Sequence, residues 1–138
     1  AARRRLMLLV DTNVLVDVLQ DDPQWADWSI RQMRAQASIH QLAINPVIYA
    51  EISLSFSTLE ALEGVVTTLG LEVREVPRAA LFLAARAFAQ YRKRGGSRLQ
   101  VLPDFFIGAH AAVEGWPLLT RDANRFRTYF PTLQVAAP

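Results

Sequence analysis

None of the 138 residues is a cysteine. Disulfides, thiolate metal sites and cysteine nucleophiles are thereby excluded together, and the absence fits a reducing cytoplasm, where the protein is expected to act. Lysine is nearly absent too. Lys93 is the only one, so arginine carries almost all of the basic charge behind a net +2, and guanidinium suits phosphate and carboxylate partners about equally. His40 and His110 are the only histidines, which leaves little imidazole for a metal site. Glycine is sparse, and the single Gly-Gly pair, Gly95-Gly96, lies in a basic stretch with no phosphate-cradling glycine loop around it. No apolar run approaches the roughly 20 residues of a membrane-spanning helix, and no membrane role is expected. Arg3-Arg4-Arg5 ahead of Leu6 to Val10 imitates a signal peptide. Its apolar stretch is too short, however, and runs directly into Asp11, so it reads as a first strand.

The chain nevertheless has the makings of a core. Hydrophobic residues make up 51% and charged ones 20%, the balance of a folded domain, and the length fits one domain spanning 1–138. Strand and helix alternate: a strand from Leu6 to Val10, a helix from about Asn13 to Gln20, and an amphipathic helix opened by Pro23 and running to about Ala35. A strand from Leu42 to Asn45 follows, with Asn45 and Pro46 as cap and first turn of a helix reaching about Phe56. Ser57 and Glu60 have capping-box spacing for a helix that stops near Gly70. Leu71 to Val76 alternates like a strand, and Arg78 to Lys93 reads as a long helix stopped by Gly95-Gly96. Beyond a basic loop come a helix from Asp104 to Glu114, a strand from Pro117 to Thr120, a helical turn at Ala123 to Arg127 and a strand from Leu133 to Val135. Such alternation with short links predicts a three-layer α/β/α fold around a parallel sheet of about five strands.

Against this background the acids stand out. Asp11, Asp104 and Asp122 each close a short apolar segment, and two of those segments are strands whose carboxyl ends are where open α/β sheets keep their ligands. Each also sits where a helix cap would, and capping alone would account for any one of them. Glu51 is different, because Val47, Ile48, Leu54 and Ser55 surround it at helical spacing, so its carboxylate projects from a largely apolar stripe and should point inward. Four converging carboxylates would repel by about 4 kcal/mol per pair at ~4 Å and an effective dielectric near 20, a conflict that a divalent cation resolves. All-oxygen ligands favour Mg²⁺ or Mn²⁺.

Together, Leu9-Val10-Asp11-Thr12-Asn13-Val14-Leu15, the inward Glu51, Asp104 with Ile107, Gly108 and Ala111 on its helix, and Leu119-Thr120-Arg121-Asp122 with Phe126 resemble the PIN-domain nucleases, most closely the VapC-type toxins of bacterial toxin-antitoxin pairs. The match extends from the first strand to the last. The resemblance implies a metal-dependent endoribonuclease in which Asp11, Glu51, Asp104 and Asp122 hold Mg²⁺ or Mn²⁺, with Asn13 and Thr120 in support. It also implies a homodimer and a cognate antitoxin that bears an arginine into the acidic groove. One departure is visible: further acids common in the family's last motif are missing, and Arg121 and Arg125 flank Asp122 instead.

Other features have plainer readings beside functional ones. Arg92, Lys93, Arg94 and Arg98 are candidate RNA contacts, although basic residues are also favoured in a helix's last turn by its dipole. His110 lies six residues beyond Asp104 on the same helix, nearly opposite in phase, and is read as no ligand; His40 has no evident partner. Asp17 is read as a solvent-facing acid. Trp25 and Trp28 mark a helix that packs internally and contributes to an interface. Two other functions compete with the nuclease. One is an aspartyl-phosphate phosphotransferase, opposed by Asn13 standing where a second acid belongs and by Lys93 lying in the basic stretch. The other is a non-catalytic module of the same fold that only binds protein.

Overall fold

In the computed structural model, which describes residues 6–138, the first strand is the middle of the molecule; the arginine triplet before it lies outside the described residues. Strand β1 (Leu6–Val10) is flanked by β2 (His40–Ile44) on one side and β4 (Leu118–Leu119) on the other. The outer neighbours are β3 (Glu72–Val73) and β5 (Val135–Ala136). All of these pairings are parallel, and the order is β3-β2-β1-β4-β5. Leu8, Leu9 and Val10 have no exposed surface, as the unbroken apolar run predicts for a strand covered on both faces.

Helices flank this sheet, so the expected α/β/α architecture and its five-stranded parallel sheet are found. They are α1 (Thr12–Leu19), α2 (Ala26–Ala37), α3 (Pro46–Ser53), α4 (Leu59–Thr68), α5 (Arg78–Lys93), α6 (Leu102–Glu114) and α7 (Asn124–Tyr129), with a 3₁₀ turn at Leu99–Val101 leading into α6. After β1 the chain builds outward through β2 to β3, then crosses back to place β4 on the other side of β1. The direction of winding therefore reverses between β1 and β4, and the crevice beyond their carboxyl ends is where a ligand site belongs in such a sheet.

Several local expectations need correction. Thr58, not Ser57, caps α4, its hydroxyl accepting from the Ala61 N–H. Helix α2 begins at Ala26, beyond Pro23, because Asp22 first makes a turn that accepts the Gln24 and Trp25 N–H groups. Helix α3 ends at Ser53, short of Phe56, and strands β3, β4 and β5 have two residues each, pairing only where a neighbour's register reaches them. The Asn45-Pro46 start is as expected, with the Asn45 side chain accepting from the Ile48 N–H at 2.9 Å.

One close approach positions an entire element. A Cβ on Gly108 of α6 would collide with the rings of Phe130 and Phe126; only glycine lets these rings press onto α6 and seat α7 beside it. Phe105 is buried in the same aromatic group, in contact with Phe88, Tyr91, Tyr129 and Phe130. Its neighbour Asp104 thus rises from a firmly packed helix start.

Candidate active site

Beyond the carboxyl ends of β1 and β4 lies an open cleft of about 290 Å³ lined by Asp11, Thr12, Asn13, Val16, Glu51, Asp104, Arg121, Asp122 and Phe126. All four acids singled out in the sequence border it, together with Asn13, although they come from four separate segments of the chain.

Asp11 follows β1 and is 3% exposed. Its backbone N–H continues the ladder by donating to the Leu119 carbonyl at 2.9 Å. The carboxylate does two things at once: one oxygen accepts from the Thr12 N–H at 2.8 Å and caps α1, while the other accepts from the Thr120 hydroxyl at 2.8 Å. Capping therefore accounts for only half of Asp11. Thr120, fully buried just past β4, takes contacts from the Asp122 N–H at 3.1 Å and the Asn13 side-chain amide at 3.4 Å. The Asn13 carbonyl oxygen in turn accepts from the Arg121 N–H at 3.2 Å. A hydroxyl has one proton to give, and here it goes to Asp11. Thr120 and Asn13 thus tie the end of β4 to the start of α1 and fix the aspartate between them.

The other acids are held more loosely. Glu51, half-buried on α3, accepts from the Thr12 hydroxyl at 2.6 Å. Asp104 lies in the first turn of α6, where the helix dipole favours negative charge, but makes no cap; it pairs with Arg125 of α7. Asp122 is exposed just ahead of α7, which likewise has no side-chain cap. The capping explanation therefore fails for Asp104 and Asp122. Among the described residues no three acidic or histidine side chains stand close enough to hold an ion as they are.

The acids nevertheless feel one another. Burial pushes the Asp11 carboxyl up to about 7; repulsion from Asp104 and Glu51 adds to this, and the hydrogen bonds from Thr120 and Thr12 oppose it. Asp104 is raised as well, first by burial and then by Glu51 and Asp122, with Arg125 pulling the other way. Both shifts thus owe most to burial, and the neighbouring carboxylates add to them.

Asp17 corrects the sequence reading most sharply. It is 2% exposed, not solvent-facing. It accepts from Arg121 Nε at 2.9 Å, Arg121 Nη2 at 3.2 Å and the Ser29 hydroxyl at 3.0 Å. The Arg121 guanidinium also lies over the Trp25 ring, 5.4 Å from its centroid, and Trp25 meets Trp28 edge-on. The signal was present in the sequence, because Asp17 interrupts the apolar helix Val14 to Leu19 much as Glu51 interrupts its own. His40 has a partner too, Gln36 Oε1 at 3.0 Å. His110 is fully buried with Nδ1 facing the Asn45 amide at 3.2 Å, while Nε2 has no partner.

Arg92, Lys93, Arg94 and Arg98 are exposed, and none of them lines the cleft. They are nonetheless organised. Gly96 passes so close over the Tyr91 ring that a Cβ there would collide with it, and the Tyr91 hydroxyl accepts from the Arg98 N–H at 3.2 Å. Arg92 lies over Phe88, and Arg94 over Tyr129 of α7. The basic residues thus project from an aromatic footing shared with the start of α6.

A family model described as PIN domain matches residues 8–130. No functionally curated protein matches the chain in sequence at a significant level. In fold the protein is similar to a chain of VapBC2 from Rickettsia felis, solved with a DNA fragment from its promoter: TM-score 0.72, 18% identity, 96% of this chain and 98% of that one covered. VapBC-1 from nontypeable Haemophilus influenzae gives a TM-score of 0.72 at 16% identity over the same shares. A toxin-antitoxin complex from Klebsiella pneumoniae gives 0.65 at 21%, covering 94% of this chain and 95% of the other. No helix among the described residues is long and apolar enough to cross a membrane.

Proposed function

From the premise that the chain belongs to the PIN-domain family, we propose that it is a metal-dependent endoribonuclease of VapC type, the toxin of a toxin-antitoxin pair acting in the cytoplasm. The observation that carries this reading is the convergence of Asp11, Glu51, Asp104 and Asp122 on one cleft at the sheet's switch point. The donor set is all oxygen, as a hard divalent ion requires. The raised proton affinity of Asp11 and Asp104 comes first from burial and then from the neighbouring carboxylates, and a cation in the cleft would lower it.

In this reading the four acids hold Mg²⁺ or Mn²⁺. When bound, the ion supplies Lewis acidity toward a phosphoryl oxygen and lowers the pKa of water. The chain's own contribution is placement. Thr120 and the Thr12 N–H hold Asp11 in one rotamer, Asn13 secures the Arg121 backbone beside it, and the Thr12 hydroxyl steadies Glu51. Hydrolysis then consists of a water oxygen bonding to phosphorus while a P–O ester bond breaks, the water's proton ending on the leaving oxygen. Arg92, Lys93, Arg94 and Arg98 offer sequence-independent attraction to the RNA backbone beyond the cleft.

An antitoxin partner is supported by the similarity in fold to proteins solved as toxin-antitoxin complexes, and a homodimer is proposed with it. The aspartyl-phosphate alternative finds no support in the geometry, because Lys93 does not border the cleft. The deciding experiment is cleavage of total RNA by the purified protein with and without Mn²⁺ or Mg²⁺, beside Asp11→Asn. Metal-dependent cuts lost in the variant establish the nuclease; metal uptake by a folded protein that cuts nothing makes it a non-catalytic binding module.

A further inference from the structure

Among the described residues, Arg125 is the one cation that grips an acid assigned above to metal binding. Its Nη1 donates to Asp104 Oδ2, and the two side chains are 29% and 32% exposed. The contact uses a single guanidinium nitrogen, unlike the fork that Arg121 makes with Asp17. Helix α7, which carries Arg125, is seated on α6 through Phe126 and the following Phe130 against Gly108. The guanidinium can therefore let go of Asp104 without loosening the helix that bears it.

Asp104 also faces the negative charge of Glu51 and Asp122, so a cation beside it favours its charged form. A guanidinium does this with one charge, and a divalent ion would do it better. Arginine keeps its charge once displaced, and its remaining donors match phosphate geometry. We propose that Arg125 is an internal counter-cation of the cleft: it holds Asp104 until a divalent ion takes that carboxylate, and it is then handed to a phosphate of the nucleic-acid strand. This inference rests on the nuclease reading given above.

The test is calorimetric titration of Mn²⁺ into the wild type, Arg125→Ala, Arg125→Gln and Arg127→Ala, the last an exposed arginine on the same helix. A parallel measurement follows binding of fluorescein-labelled polyuridylate by anisotropy in Ca²⁺. Both Arg125 variants are expected to bind Mn²⁺ about tenfold more tightly, since removing one positive charge a few ångströms from a divalent ion is worth that much in a partly solvated cleft. They should also bind polyuridylate roughly fivefold more weakly. Arg127→Ala should move Mn²⁺ affinity less than about twofold at that greater exposure. Agreement between Ala and Gln separates charge from packing. Unchanged Mn²⁺ affinity in both Arg125 variants overturns the proposal, as does unchanged polyuridylate binding, or an Arg127→Ala effect equal to theirs. A wild type that takes up no Mn²⁺ removes the metal reading itself, whereas uptake insensitive to Arg125 removes only the counter-cation.

Discussion

Two arginine–aspartate pairs each give one member, Arg121 and Asp104, to the lining of the same cleft, and they are held in opposite ways. Asp17 and Arg121 form a two-pronged pair whose carboxylate is almost wholly buried, satisfied further by Ser29, and roofed by Trp25. Asp104 and Arg125 share one hydrogen bond, each about a third exposed. In the first pair the acid is consumed by structure. In the second it is lent to a partner that solvent can reach, which leaves it free to change partners. A carboxylate's neighbourhood, more than its presence at a cleft, decides whether it can do chemistry.

The largest expected effect breaks the comparison at its acids. If Asp104 is a ligand, Asp104→Asn lowers RNA cleavage by about a thousandfold, the scale of several kcal/mol of lost transition-state stabilisation, while the fold persists. Asp17→Asn keeps much of its activity in the protein that remains folded. Initial cleavage rates normalised to the folded fraction decide it; equal losses in the two would erase the distinction.

A second effect concerns pH and compares Asp11 with His110. Burial raises Asp11 from 3.8 to about 7, so its contribution to stability is fully present below pH 3.8 and is lost as pH rises to 7. His110 is lowered from 6.5 to about 4 by burial and by Arg74, so its contribution is present above pH 6.5 and is lost as pH falls to 4. Between pH 4 and 6.5 the two oppose each other, and their sum is nearly flat. Asp11→Asn, which keeps a capping side chain, should expose the histidine's slope, a loss of roughly 3 kcal/mol on acidification. His110→Gln should expose the reverse trend. Urea unfolding across this range checks both, and parallel profiles in the two variants would contradict the assignment.

How much of this was legible depended on whether the cause was local. The apolar run before Asp11, the Asn45-Pro46 start and the placing of Asp104 after Pro103 are written in adjacent residues, and each led to the right element. The two-residue strands β3, β4 and β5 were not bounded correctly, because their ends are set by register with β2, β1 and β4. Asp17 interrupts its apolar helix much as Glu51 does, so its inward aim was legible although it was read as solvent-facing; only its partners, Ser29 and Arg121, 12 and 104 residues away, were not. Arg125 stood out only as an arginine near Asp122, since its contact with Asp104 exists only once Gly108 lets α7 settle on α6. The four acids, by contrast, announced themselves by interrupting or ending apolar segments, and the fold brought them to one cleft.

The smallest effects sharpen the comparison from the side of stability. Asp17→Ala leaves the Arg121 guanidinium, about two-thirds buried, without its carboxylate and takes a partner from the fully buried Ser29, and should cost roughly 2–3 kcal/mol by urea unfolding. Arg125→Ala should cost less than about 1 kcal/mol, as an exposed single-contact pair does. Its deletion could even be neutral, because Asp104 can shed its excess charge by taking up a proton, a route its raised pKa already favours. If Arg125→Ala instead destabilised as much as Asp17→Ala, the outer pair would be a structural clamp like the inner one. Asp104 would then be held by the fold and no longer available to the cleft.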